Sequence, residues 1–224
     1  MRHLLSLAIT CCLLLTTAFA AEEHQDHRRP ADIKQYLEQL DSEERDQHQK
    51  PRQVIDALNL KPGLAVADLG SGSGYFTRRF IEAVTETGKV YAVDVEPEML
   101  KYAEESVVHM HRSYTAEFIL ARPDNPKLPY QSIDLLFVCN TYHHLDERTK
   151  YFSDAKSSLK PGGRVAIIDF YHDERSGELG FPKRHLVPRE TVIAELGGAG
   201  YRLIREHTFL PRQYFLEFVP FAAP

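Results

Sequence analysis

Asp68-Leu69-Gly70-Ser71-Gly72-Ser73-Gly74 joins a carboxylate to three closely spaced glycines. Such a loop lets the backbone turn sharply and approach a ligand with no side chain between them. A dinucleotide-binding loop carries its third glycine three positions after its second; Tyr75 stands there, and glycine comes one step earlier, at Gly74. Asp68 would repel a pyrophosphate but attract an ammonium group. Asp94 closes the next apolar run, and a carboxylate at such a strand tip accepts hydrogen bonds from both hydroxyls of a ribose. Together these residues describe a site for a nucleoside with an unphosphorylated, cationic tail, and they conflict with an NAD-dependent oxidoreductase.

A second cluster, Asn140-Thr141-Tyr142-His143-His144, leaves a later apolar run at the same expected edge. Imidazole titrates near neutral pH, so His143 or His144 has the basicity of a general base; in the other reading one histidine orients the following helix and the other is solvated. Asp169, Tyr171 and His172 leave the next run toward the same mouth, without the local spacing of a metal site. Phe181-Pro182-Lys183-Arg184-His185 lies in a long connection, where Arg184 and His185 either meet an anionic or polar group or form a solvated surface.

These residues need a scaffold that delivers strand ends to one edge. The spacing of Ile33, Tyr36, Leu37 and Leu40 predicts a helix over 32–45, and Pro51 opens a second over 51–60. Strands are expected at 64–69, 89–95, 117–121, 133–140 and 164–170, with helices at 75–85, 97–111 and 147–159 among them. A helix at 189–197 precedes two last strands, 201–208 and 213–219, whose connection is too short for a crossover and requires antiparallel pairing. The pattern is α/β: a mostly parallel sheet with its last strand antiparallel, helices on both faces and an N-terminal helical extension.

The 224 residues suffice for one such domain with short extensions, and a formal net charge of −5 argues against a protein that tracks nucleic-acid phosphates. The start of the chain differs in kind. Arg2 and His3 precede an apolar run over 4–15, and Ala18-Phe19-Ala20 supplies small residues for cleavage ahead of a polar stretch. That is the layout of a secretory signal peptide over 1–20, or of a membrane anchor if the leader is retained. Export, periplasmic or secreted, is therefore expected, with a polar lead and helix over 21–50 and the main domain over 51–224. Cys11 and Cys12 fall in the leader, so Cys139 remains alone and the mature chain forms no intramolecular disulfide.

The run VADLGSGSGYFT resembles the first motif of class I S-adenosylmethionine-dependent methyltransferases. VYAVDVEPEML resembles their ribose-binding segment, and LKPGGRVAIIDF their turn and fifth strand. The likeness runs from about Arg52 to the C-terminus and is to the ubiquinone/menaquinone-biosynthesis type and to exported predicted methyltransferases. It implies a Rossmann-like, seven-stranded fold, S-adenosylmethionine as cofactor and a small-molecule methyl acceptor. The other reading is an exported protein that binds S-adenosylmethionine or S-adenosylhomocysteine without turnover.

By the resemblance, Gly70, Ser71, Gly72 and Gly74 cradle the cofactor, with Tyr75 and Asn140 also at its site. Asp68 lies near its amino group, Asp94 holds the ribose and Val95 meets the adenine face. Relatives place an acid after the third strand at the adenine amine; here Asp124 is displaced, and is either that contact or a turn residue before Asn125-Pro126. His143 or His144 would take a proton from the acceptor, and Tyr142 would face the sulfonium or substrate or pack its loop. The N-terminal helices are expected to close over the cofactor, with Tyr36, Gln49 and Lys50 near it.

Overall fold

Strands whose residues are apolar on both faces are stable only between two covering layers. The run Ala65–Leu69 is buried at every position, and Ile133–Cys139 at every position but Asp134. The computed structural model describes residues 33–179 and 182–221 and meets that requirement with one seven-stranded sheet flanked by helices. The leader and polar lead expected over 1–31 lie outside the described residues.

Numbered over those residues, the helices are α1 (Ile33–Leu40), α2 (Glu43–Gln49), α3 (Pro51–Leu58), α4 (Tyr75–Val84), α5 (Pro97–Val107), α6 (Arg148–Ala155) and α7 (Arg189–Gly198). The strands are β1 (Ala65–Leu69), β2 (Lys89–Asp94), β3 (Ala116–Leu120), β4 (Ile133–Cys139), β5 (Leu159–Phe170), β6 (Tyr201–His207) and β7 (Gln213–Pro220). Their order is β3-β2-β1-β4-β5-β7-β6. The first five strands pair in parallel, and β7 runs antiparallel to both β5 and β6. The order reverses between β1 and β4, and the crevice at the carboxyl ends of those strands is where an open α/β sheet binds ligands.

Alternation along the strands feeds two cores. One face gathers Phe76, Phe80, Phe137 and Ile168 under α3 and α4; the other gathers Leu136, Phe152, Ile167 and Leu196 under α6 and α7. Among the described residues no helix is long and apolar enough to cross a membrane.

Three boundaries depart from the sequence reading, each for a local reason. The single helix expected over 32–45 is two: Ser42 takes an extended conformation and its hydroxyl accepts from the Arg45 amide at 3.4 Å, capping α2 behind an acidic first turn. The helix expected to reach residue 111 ends at Val107, before a 3-10 turn at Ser113–Thr115. The helix expected to reach 159 stops at Ala155, and β5 begins at Leu159, ahead of Pro161-Gly162-Gly163. Leu159 already pairs with Ile133, and the ladder shifts register before resuming at Leu135 and Arg164.

Phe137 sits in the middle of β4 with the rings of Phe76 and Phe80 at 4.7 and 5.0 Å and no exposed surface. Phe137→Ala should therefore destabilise the fold by about 3–5 kcal/mol, read as a lowered urea midpoint with an unchanged slope.

Candidate functional site

The glycine loop is stitched to the end of β2 by backbone amides. Gly70 and Ser71 both donate to the Val93 carbonyl, at 2.7 and 3.1 Å. Gly72 then donates to one carboxylate oxygen of Asp94 at 2.9 Å, while Glu96 donates to the other at 3.0 Å. Burial pushes the Asp94 carboxyl up, and those amides pull it back toward the charged form. Asp94 is thus aimed at the strand tip by its own neighbours, and Val95 beside it leaves 44% of its surface exposed, an apolar patch for a flat ring. Gly70 has φ +73°, and a Cβ there would collide with the Thr141 side chain, so glycine is required by both conformation and space. The Ser71 hydroxyl is buried and has no hydrogen-bond partner among the described residues. An orphaned hydroxyl in a loop of left-handed glycines fits a ligand that brings polar groups.

Asp68 ends its strand buried, accepting from the Thr77 hydroxyl at 2.7 Å. Burial pushes its carboxyl up to about 6, against the Thr77 hydrogen bond and the positive charge of Arg45. Such a carboxylate gains from an incoming cation. These features fit S-adenosylmethionine: a ribose at Asp94, an adenine beside Val95 and an ammonium near Asp68.

Helices α1 and α2 lie across this loop as a lid. Leu40 packs over Gly72, whose added Cβ would stand 3.2 Å from its Cδ1. The Ser73 hydroxyl donates to Asp41 at 2.7 Å, and the Tyr75 hydroxyl donates to Asp46. Arg45 and Arg79 both pack on the Tyr75 ring, each with its guanidinium 3.9 Å from the centroid. Tyr75, expected among the cofactor contacts, has its hydroxyl and ring engaged by α2 and Arg79, with 3% of its surface exposed. Burial raises the Tyr36 hydroxyl, with the charge of Arg45 opposing the rise and that of Asp94 adding to it. Lys50 turns away, donating to the Phe209 carbonyl at 2.8 Å.

Gln49 does reach the site, fully buried, with Asn140 at the end of β4 and Gln213 at the start of β7. Gln213 Nε2 donates to Asn140 Oδ1 at 2.5 Å, and Gln49 Oε1 accepts from both neighbours at 3.3 and 3.4 Å. Gln49 Nε2 and Gln213 Oε1 are left without partners among the described residues. Asn140 takes a left-handed turn, φ 54°, which swings the histidine segment out over the edge.

There His143 Nδ1 lies 2.8 and 2.9 Å from the two carboxylate oxygens of Asp169, and its backbone amide donates to the same group at 3.1 Å. Asp169 is completely buried and accepts the Phe170 amide as well. His144 is exposed, its ring 4.1 Å from that of His143. Tyr142 is a correction: its side chain is fully buried against Phe152, and its hydroxyl donates to Glu195 on α7 at 2.6 Å. In the 3-10 turn over Tyr142–His144 successive side chains emerge about 120° apart, so Tyr142 enters the core while its neighbour His143 meets Asp169. Asp124 is a second correction. Its side chain is 78% exposed and pairs with Arg122 at 3.3 Å within a tight turn, so it is the turn residue. Arg184 is exposed on the 3-10 turn Lys183–His185, and among the described residues no cluster of three or more His, Cys, Asp or Glu stands ready to hold a metal.

Sequence reading missed Gln213, Thr77 and Arg45 as site residues and took Asp169 only as part of a mouth. Arg45 had a visible signal, its place three residues after the capping Ser42; Gln213 had none, because its partners come from the far end of the chain.

A model of the methyltransferase domain family matches residues 66–163. The ubiquinone/menaquinone biosynthesis C-methyltransferase of Salmonella arizonae is 27% identical over 158 residues, 69% of this chain, and that of Salmonella paratyphi B is 29% identical over the same span. The chain spans 63% of the length of these curated relatives. A SAM-dependent methyltransferase from Aquifex aeolicus has a TM-score of 0.77 and 30% identity, covering 84% of this chain and 98% of that one. One from Mesorhizobium loti, at 17% identity and a TM-score of 0.61 over 74% of this chain and 95% of its own, shares the fold. With its glycine loop, ribose acid and 3-2-1-4-5-7-6 sheet, the chain belongs to the class I S-adenosylmethionine-dependent methyltransferase family.

Proposed function

We propose that this protein transfers the methyl group of S-adenosylmethionine to a small-molecule acceptor and that His143 takes the acceptor's proton. The observation that carries the reading is the Asp169–His143 pair at the sheet edge that also holds Asp68 and Asp94. A carboxylate only accepts, so Nδ1 carries the hydrogen and Nε2 is the basic nitrogen; Asp169 holds both tautomer and ring orientation. S-adenosylmethionine supplies a methyl group made electrophilic by its sulfonium, and the protein's work is alignment. Asp94 would hold the ribose hydroxyls and Asp68 the ammonium, and the Ser71 hydroxyl would gain a partner. The curated relatives are named as C-methyltransferases of ubiquinone/menaquinone biosynthesis, and the net charge of −5 also favours a small organic acceptor over a nucleic acid.

With methyl-deuterated S-adenosylmethionine and a small-molecule extract, mass spectrometry should find a labelled small molecule. Asp94→Ala should abolish labelling and cofactor binding together. His143→Ala and Asp169→Asn should lower kcat by about 10²–10⁴-fold while cofactor affinity stays unchanged. Calorimetry should show S-adenosylmethionine and S-adenosylhomocysteine bound and NAD not. Cofactor binding with no labelled product would favour binding without turnover, and tighter NAD binding would overturn the cofactor.

Asp68 adds a pH dependence. Its carboxyl rises from an ordinary 3.8 to about 6 in the folded chain, so between those values the folded state keeps a proton that the unfolded chain has lost. Its contribution to stability therefore falls as pH rises from about 4 to about 6. Cofactor affinity should run the other way, tightening as pH rises through about 6 and the carboxylate forms. Asp68→Asn should flatten that profile and weaken binding at higher pH; an unchanged profile would place the ammonium elsewhere.

We propose as well that residues 1–20 direct export. An export-dependent reporter fused behind residues 1–30 should be active, and the same fusion without residues 2–20 should be silent.

A further inference from the structure

Three side-chain amides meet where α2 and β4 end and β7 begins. Gln213 Nε2 donates to Asn140 Oδ1 at 2.5 Å and to Gln49 Oε1 at 3.3 Å, and Asn140 Nδ2 donates to the same Gln49 oxygen at 3.4 Å. Both hydrogens of Gln213 and both lone pairs of the Gln49 oxygen are thereby used. Left over are one donor, Gln49 Nε2, and one acceptor, Gln213 Oε1, both enclosed and without a partner among the described residues. An unpaired donor and acceptor held out of water destabilise a fold until something fills them.

Their place indicates the occupant. The Asn140 backbone amide donates to the Ile168 carbonyl at 2.9 Å, and Gln213 pairs with Phe170, so the amides flank the carboxyl end of β5. Asp169, which holds His143, stands between Ile168 and Phe170, and strand alternation turns it to the opposite face of the sheet from Gln213. A molecule lying over that edge meets the amides on one side and the histidine on the other. Gln49 is the last residue of α2, so the occupant enters as the lid opens and is enclosed as it closes.

We propose that Gln49 and Gln213 select the methyl acceptor by an uncharged group that accepts from Gln49 Nε2 and donates to Gln213 Oε1, a hydroxyl or a carboxamide. This rests on the methyl-transfer reading above. A carboxylate would set its lone pairs against the Gln213 oxygen, and an ammonium its hydrogens against the Gln49 amide. Either charge would be buried against amides that carry no counter-ion.

Gln49→Glu isolates the donor, because its carboxyl can keep both bonds accepted by Gln49 Oε1 while an oxygen replaces Nε2. In the deuterium-labelling assay it should lower kcat/KM for the acceptor by roughly tenfold or more, with S-adenosylhomocysteine affinity unchanged in calorimetry. A protonated carboxyl donates again, so the ratio of variant to wild-type activity should climb as pH falls, which a loss of packing would not produce. Gln49→Met, with neither donor nor titrating group, should lose as much at every pH, and it carries the test if the buried glutamate prevents folding. Fragmentation of the labelled product should show loss of water from a hydroxyl or of ammonia from a primary carboxamide, which tells the two apart. Undiminished kcat/KM in these variants would mean that a water fills the pair and would overturn the inference. An acceptor whose only polar groups are ionic, or an equal loss of cofactor affinity, would overturn it too. A wild type that binds S-adenosylhomocysteine and labels nothing would overturn the methyl-transfer reading itself.

Discussion

The Val93 carbonyl accepts two amides at once, from Gly70 and Ser71, and the Asp94 carboxylate beside it accepts the next, from Gly72. These bonds tie the turn after β1 to the end of β2 before any ligand arrives. They explain why the loop can be rich in glycine without being slack: each freed conformation is spent on an amide with a named acceptor. They also settle where charge can lie. A carboxylate whose oxygens face backbone amides stays rigid and poised, whereas Asp68, one strand over and further from water, depends on a single hydroxyl and on Arg45.

The lid turns this fixed edge into an enclosed one. Asp41 and Asp46 meet Ser73, Tyr75, Arg78 and Arg79, so the contacts that seat the lid are ionic or charge-assisted and ring a small apolar touch at Leu40. Contacts of this kind are weak singly in water, and their strength here comes from partial burial and number. On the far side of the edge the histidine segment is held by a different logic. Tyr142 is locked into the α6–α7 core by Phe152 and Glu195, and that anchor lets its neighbour His143 rest against Asp169 without a long loop's freedom.

Local pattern carried most of the fold. β1 and β4 are apolar but for Asp68 and Asp134, β5 is apolar over residues 165–168, and the Gly70-to-Gly74 loop with Asp68 and Asp94 announces its ligand class through residue type and spacing. What the sequence hid depends on contacts between distant segments. Gln49, Asn140 and Gln213 meet across most of the chain, and no local period marks them. Side-chain direction within a short turn was equally hidden: Tyr142 and His143 are adjacent, yet one enters the core and the other faces Asp169. Asp124 had the right residue type at nearly the right place, but two residues of a tight turn put it into solvent. Residue type is written in the sequence; the side of the backbone on which it emerges is often decided by a turn of three residues.

The contact of Gly70 with Thr141 acts as a gauge block between two loops. Gly70 belongs to the glycine turn after β1, and Thr141 to the segment that bears His143, and the Thr141 side chain fills the space a Cβ would need. The separation of the glycine loop and the histidine segment is therefore set by the thickness of one side chain pressed against bare backbone. Enlarging either partner would wedge the loops apart, and shrinking Thr141 would let them drift together. Methyl transfer tolerates little error along its line of attack, and the clearance between these two loops depends on a hydrogen atom where every other residue type has carbon.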